Sequence, residues 1–130
     1  MKTVLFICVH NAGRSQMAES FFNQLAKGKA QAISAGSDPA DKVNPVVIEA
    51  MREVGIDISH NRPKLLTPKM TENIDKAVTM GCEQVCPYTE AETIGWELED
   101  PEGKSLEQVR AIRDVIKQKV SSLVDEILSK

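Results

Sequence analysis

The stretch FICVHNAGRSQ, residues 6–16, holds a cysteine, an arginine and a serine whose spacing suits nucleophilic chemistry on an oxyanion. Cys8 closes an apolar run. The loop Val9, His10, Asn11, Ala12 and Gly13 follows, and then Arg14 and Ser15. The planar arginine fork can offer two parallel hydrogen bonds to a tetrahedral anion. Backbone N–H groups of a loop running into a helix N-terminus make an anion cradle. Gly13 is expected to supply positive φ and close backbone approach, and Asn11 tolerates the left-handed region better than most residues. Helix N-termini and cationic neighbours favour the thiolate of a cysteine, so the same loop would hold the anion and ionise its attacker. Residues 9–15 are the candidate oxyanion-binding loop, and Cys8 is the candidate nucleophile.

The other two cysteines stand together in MGCEQVCPY, residues 80–88. Cys82-x3-Cys86 is neither the C-x2-C of zinc ribbons nor that of thioredoxin-like proteins. On a helix the two Cβ atoms would lie about 5–6 Å apart, whereas a disulfide needs about 3.8 Å. Bond formation would therefore require the segment to distort, which Gly81 before it and Pro87 after it make easier. A metal site from Cys8, His10, Cys82 and Cys86 is disfavoured, because the surroundings of Cys8 are positive and suit anions. No metal or cofactor is expected. His60 reads as a solvent-facing residue.

These side chains need a scaffold, and the periodicity supplies one. Residues 4–7 form a continuous β-branched and aromatic run, as in a strand buried on both faces. Ser15 opens a helical pattern through Met17, Ala18, Phe21, Phe22 and Leu25, which Gly28 stops. Residues 32–36 read as a second strand. Asn44-Pro45 is an N-cap with proline at the first helical position, and that helix ends at Gly55. Residues 56–59 are ambiguous between strand and turn. Residues 77–80 read as a third strand and residues 94–98 as a fourth. Ser105 to Gln108 form a capping box, with a long helix behind it marked by Leu106, Val109, Ile112, Ile116, Val120, Leu123 and Ile127. Strands alternating with helices predict an α/β fold, a four-stranded parallel sheet with helices on both faces. Ligands on such sheets bind beyond the carboxyl ends of the strands, where Cys8 falls.

The chain of 130 residues reads as a single domain, residues 1–130, with 42% hydrophobic and 27% charged residues. Its net charge of −3 offers no global attraction to nucleic acid or to an anionic membrane. The apolar run at residues 4–9 is too short for a signal segment, and nothing approaches a membrane span. An odd count of three cysteines argues for thiol chemistry in a reducing compartment rather than for structural disulfides. A cytoplasmic protein is expected.

Cys8-x5-Arg14-Ser15 resembles the phosphate loop of protein tyrosine phosphatases, and its place after the first strand resembles the low-molecular-weight phosphatase fold. The longer match CVHNAGRSQMAE, residues 8–19, is similar to arsenate reductases built on that fold. The likeness continues through SAG at 34–36, NPVVIEAMREVGIDIS at 44–59, TMGC at 79–82, Cys86-Pro87, Trp96 and Asp100-Pro101. It implies that Cys8 attacks arsenate held by Arg14 and the loop, and that Asp100 protonates the leaving oxygen. It also implies two successive redox disulfides, Cys8–Cys82 and then Cys82–Cys86, with thioredoxin as reductant of a monomeric enzyme. Phosphatases of this fold carry tyrosine-rich walls beside the aspartate, and DPEGKS, residues 100–105, has none. A low-molecular-weight protein tyrosine phosphatase using Cys8, Arg14 and Asp100 is the alternative. Some relatives bind potassium through an Asn, a Glu, a Ser and an Asp. Asn11, Glu19 and Ser34 match, but the last position aligns with Lys64, whose ammonium would take the cation's place.

Overall fold

Four apolar residues in a row, Val4 to Ile7, have no exposed surface, and only a central strand can bury both faces of such a run. The computed structural model, which describes residues 1–81, 89 and 91–129, places this run in β1 (Lys2–Cys8). β2 (Ala30–Gly36) pairs with one side of β1, β3 (Lys76–Met80) with the other, and β4 (Glu92–Trp96) adds to β3. All three pairings are parallel, giving the order β2-β1-β3-β4. Among the described residues three α-helices accompany the sheet: α1 (Arg14–Ala26), α2 (Pro45–Arg52) and α3 (Leu106–Leu128). The expected four-stranded parallel α/β fold is the observed one.

Neighbouring strands on opposite sides of β1 make its carboxyl end a topological switch point, where a crevice opens for ligands. The register runs from Lys2–Ala30 to Cys8–Gly36, so Cys8 is the last paired residue before that crevice. Beneath it, Phe6 meets Phe22 of α1 edge-on at 6.1 Å and Trp96 of β4 at 5.8 Å. These contacts lock the first helix and the edge strand to the strand that carries Cys8.

The helix ends follow the sequence signals with small shifts. α1 starts at Arg14 with Gly13 as its N-cap, one residue before the expected Ser15. It stops at Ala26 because Lys27 and Gly28 both take positive φ, 51° and 82°. Asn44 caps α2 by accepting the Val46 amide at 2.9 Å, and Pro45 is its first residue. At its other end the Ile56 amide donates to the Met51 carbonyl and Gly55 to Arg52, with Gly55 left-handed at φ 83°, a Schellman closure. The capping box of Ser105 and Gln108 begins α3.

One ambiguity is resolved and one local expectation is corrected. Residues 56–59 form no strand; their backbone runs into a turn, with the Asn61 amide bonded to the Ile58 carbonyl. β4 begins two residues earlier than its apolar residues suggest. Its register is set by β3, where Lys76 pairs with Glu92 and its ammonium meets the Glu92 carboxylate at 2.7 Å. An edge strand needs few apolar residues, so hydrophobicity marked its far half only.

Candidate active site

The loop after β1 is turned so that its carbonyls face outward and are all occupied. Val9 accepts the Asp38 amide at 2.8 Å, His10 accepts Ala40 at 3.0 Å, and Ala12 accepts Asn44 at 2.9 Å. Asn11 accepts Gln16 Nε2 at 3.1 Å, and Gly13 accepts Met17 at 3.0 Å. Because the two ends of a peptide plane point opposite ways, five carbonyls directed outward turn the linked amides of residues 10–14 toward the inside of the loop. The N-terminus of α1 has no side-chain cap, so its first amides add to the same concavity.

Cys8 lies at the floor of this loop and is 2% exposed. Its Sγ accepts the Asn11 amide at 3.2 Å and stands 2.8 Å from Ser15 Oγ. Ser15 Oγ is tied into the same network on its other side. Asn11 Nδ2 can only donate, and it donates to Ser15 Oγ at 2.7 Å. Opposite a Cys8 thiolate, which can only accept, the serine proton is the one that points at the sulfur. A relay of donors from Asn11 through Ser15 ends on Sγ, the arrangement that suits a sulfur anion.

Asn11 is the keystone of this arrangement. It is fully buried, with φ 49° in the left-handed region, as its residue type allows. Besides Ser15, its Nδ2 donates to Ser34 Oγ at 3.0 Å. Its Oδ1 accepts Gln16 Nε2 at 3.0 Å and the Lys64 amide at 2.9 Å. Gln16 in turn donates to the Arg62 carbonyl and accepts from Asn61 Nδ2. Sequence reasoning noted Gln16 only as part of the match over residues 8–19, without a structural role, and did not single out Asn61. The available signal was a glutamine three residues past the glycine, at a helical position whose neighbours Met17 and Ala18 face the core.

Gly13 corrects an expectation. Its φ is −146°, so it is not needed for a left-handed turn. What it supplies is room, since a Cβ there would meet Pro101 Cγ at 2.5 Å. Gly36, beside the loop in β2, is equally constrained: a Cβ would lie 2.5 Å from the Val9 carbonyl oxygen and 3.0 Å from the Asn11 nitrogen.

Arg14 and Asp100 reach the same cavity, of about 450 Å³, which Cys8, His10 and Lys42 also line. Arg14 Nη1 donates to the Leu98 carbonyl at 3.1 Å, and Nη2 lies 3.8 Å from Asp100 Oδ2. Asp100 Oδ1 accepts the Glu102 amide at 3.0 Å, an Asx-turn that holds the carboxylate at the pocket edge. His10 Nδ1–H donates to the Asp38 carbonyl at 3.0 Å, which fixes its tautomer and leaves Nε2 as acceptor in the neutral ring. None of the described lining residues is Phe, Tyr or Trp. His60 is exposed and does not line this cavity.

Lys64 stands beside two of the residues matched to the potassium set, Glu19 and Ser34. Its ammonium is 3.6 Å from Glu19 Oε1 and 3.5 Å from Ser34 Oγ, on the flank of the Asn11 network. Cys82 and Cys86 fall outside the described residues.

The family model for low-molecular-weight phosphotyrosine protein phosphatases matches residues 3–130. A putative arsenate reductase of Halobacterium salinarum is 40% identical over 129 residues, covering 93% of this chain and 89% of the relative. A glutaredoxin arsenate reductase of Synechocystis sp. is 37% identical, covering 98% and 99%. Among solved structures, an arsenate reductase in the phosphate-binding state superposes with a TM-score of 0.86 at 36% identity, covering 98% of this chain and 99% of that one. The thioredoxin-dependent arsenate reductase of Corynebacterium glutamicum gives 0.85 at 38% identity, covering all of this chain and 64% of that one.

Proposed function

The chain belongs to the low-molecular-weight phosphotyrosine protein phosphatase family, and we propose that within it this protein reduces arsenate to arsenite through a relay of three thiols. The observation that carries this reading is the loop of five outward, occupied carbonyls around the Cys8 sulfur. The cavity over it offers no aromatic wall for a phosphotyrosine ring among its described residues. A small inorganic oxyanion suits both features, and the similar chains from Halobacterium and Synechocystis are named arsenate reductases.

In this mechanism the inward amides of the loop and the Arg14 fork bind the arsenate oxygens. Cys8 thiolate attacks arsenic, and an oxygen leaves as water with a proton from Asp100. Cys82 thiolate then attacks the Cys8 sulfur. The S–As bond breaks with its electron pair going to arsenic, which departs as arsenite and leaves a Cys8–Cys82 disulfide. Cys86 thiolate attacks Cys82, the pair becomes Cys82–Cys86, and Cys8 is released as thiolate. An external dithiol reduces the final disulfide. The protein acts as a single cytoplasmic unit and as a monomer, needs no metal or cofactor, and binds neither nucleic acid nor membrane.

Thioredoxin is the proposed reductant, in line with the Corynebacterium neighbour, while the name of the Synechocystis relative points to glutaredoxin. One assay separates the readings. The protein is incubated with arsenate, NADPH and either thioredoxin with its reductase or glutaredoxin with glutathione and its reductase. NADPH oxidation that requires arsenate and the thioredoxin pair is the expected result. Hydrolysis of an aryl phosphate without arsenate-dependent NADPH oxidation would favour a phosphatase instead.

A further inference from the structure

The space beside the Arg14 guanidinium is left open by Gly81, and the arginine uses it. Gly81 follows β3 with φ 77°, and its amide donates to the Trp96 carbonyl at 3.1 Å. A Cβ on this residue would overlap Arg14 Nη1. It would also lie 3.3 Å from Cζ and 3.1 Å from the Leu98 carbonyl oxygen. That carbonyl is the one that accepts Nη1–H, and Asp100 stands at the other nitrogen. The guanidinium is therefore seated in a slot, with Leu98 as its anchor and bare Gly81 backbone as its wall. The group that a side chain at 81 would strike is the far end of a flexible side chain, so the backbone can hold its place while the arginine yields.

We propose that Gly81 is the positioning residue for Arg14: the missing side chain sets the guanidinium's place and thereby the strength with which the loop holds an oxyanion. This rests on reading residues 9–15 as an oxyanion loop and not on the arsenate chemistry. It also links two parts of the sequence, because the residue that seats the arginine directly precedes Cys82.

The test measures binding without turnover. Inorganic phosphate protects Cys8 from alkylation by iodoacetamide, and peptide mass mapping counts Cys8 alone. Gly81→Ala adds a Cβ and strains a left-handed backbone, whereas Gly81→Asn adds the Cβ at a φ that asparagine accepts. Both variants are expected to raise the half-protecting phosphate concentration at least about tenfold, as for loss of a charged hydrogen bond. If Gly81→Ala does not fold, Gly81→Asn carries the comparison. In an Arg14→Lys background, whose ammonium stops short of the slot, Gly81→Asn should change protection by no more than about twofold. Unchanged protection in Gly81→Asn alone would overturn the proposal. So would an equal loss in the Arg14→Lys background, because the effect would then run through the fold and not the arginine. Failure of phosphate to protect even the unmodified chain would remove the oxyanion reading, and the slot with it.

Discussion

Pro101 rests on Gly13, so close that a Cβ at Gly13 would come within 2.5 Å of the proline Cγ and 3.4 Å of its Cδ. Through this contact the turn carrying Asp100 is seated on the loop that surrounds Cys8. Val47 of α2 closes the other side, 3.6 Å from the same position. Gly13→Ala should therefore lift the Asp100 turn, costing roughly 1–3 kcal/mol of stability from overpacking and lowering arsenate turnover. Adding Pro101→Ala should return much of the stability. Denaturant titrations of the two variants check this, and a Gly13→Ala chain as stable as the unmodified one would contradict the contact.

The relay predicts three different arrests. Cys8→Ser should abolish arsenate reduction and any phosphatase activity, since both need the sulfur nucleophile. Cys82→Ser should accept arsenate at Cys8 but release little arsenite. Cys86→Ser should release about one arsenite per enzyme and stop with Cys8 bonded to Cys82. Peptide mapping of each arrested species identifies the joined pair. A Cys86→Ser variant that turns over with thioredoxin at the unmodified rate would end the three-thiol scheme.

Lys64 predicts indifference to potassium. Its ammonium stands by Glu19 and Ser34 while its amide holds Asn11 Oδ1, so a positive charge is already supplied on that flank of the loop. Exchanging potassium for sodium at constant ionic strength should barely alter the rate, and Lys64→Asp should make the rate potassium-sensitive. A strong potassium requirement in the unmodified protein would reject the substitution.

Acid stability should depend on Glu53. Its carboxylate accepts Arg110 Nε at 2.8 Å and Nη2 at 2.5 Å, and Arg113 Nη1 at 3.0 Å. Hydrogen bonding from Arg110 first, and from Arg113 as well, holds its pKa at about 2 against an ordinary 4.5, despite an opposing push from burial. A depressed value stabilises the fold above the unfolded pKa, and the gain is lost as pH falls from about 4.5 through about 2. The stability gap between the unmodified protein and Glu53→Gln should therefore narrow across that window, and shrink further in high salt because the pair is at the surface. A gap constant from pH 6 to pH 2 would refute the assignment. Arg113 also donates to the Ala50 carbonyl at 2.9 Å, so this cluster ties α3 to the helix whose first residues line the pocket.

How far the sequence reached can be followed residue by residue. The β1 run, the Asn44-Pro45 start, the Gly55 stop and the Ser105 capping box were legible because each depends on neighbours within a few positions. The same holds for the Cys8-x5-Arg14 spacing, since the residue types and their separation in a loop that joins a strand to a helix are read from neighbouring positions. β4 was misplaced by two residues because an edge strand takes its register from its partner and needs little hydrophobicity of its own. Gly13 was credited with positive φ and close approach; its φ is negative, and the close approach it permits is that of Pro101, distant in the chain. Gly81, Gly36 and Asn61 make contacts that no local pattern encodes. Sequence alone thus named the groups proposed to carry the chemistry, because reactivity belongs to residue type and short spacing. Tertiary structure decided how they are aimed: the Val9, His10 and Ala12 carbonyls are held by amides of residues 38–44, and the Arg14 guanidinium is seated on Leu98 and Gly81, contacts that arise only where distant segments meet.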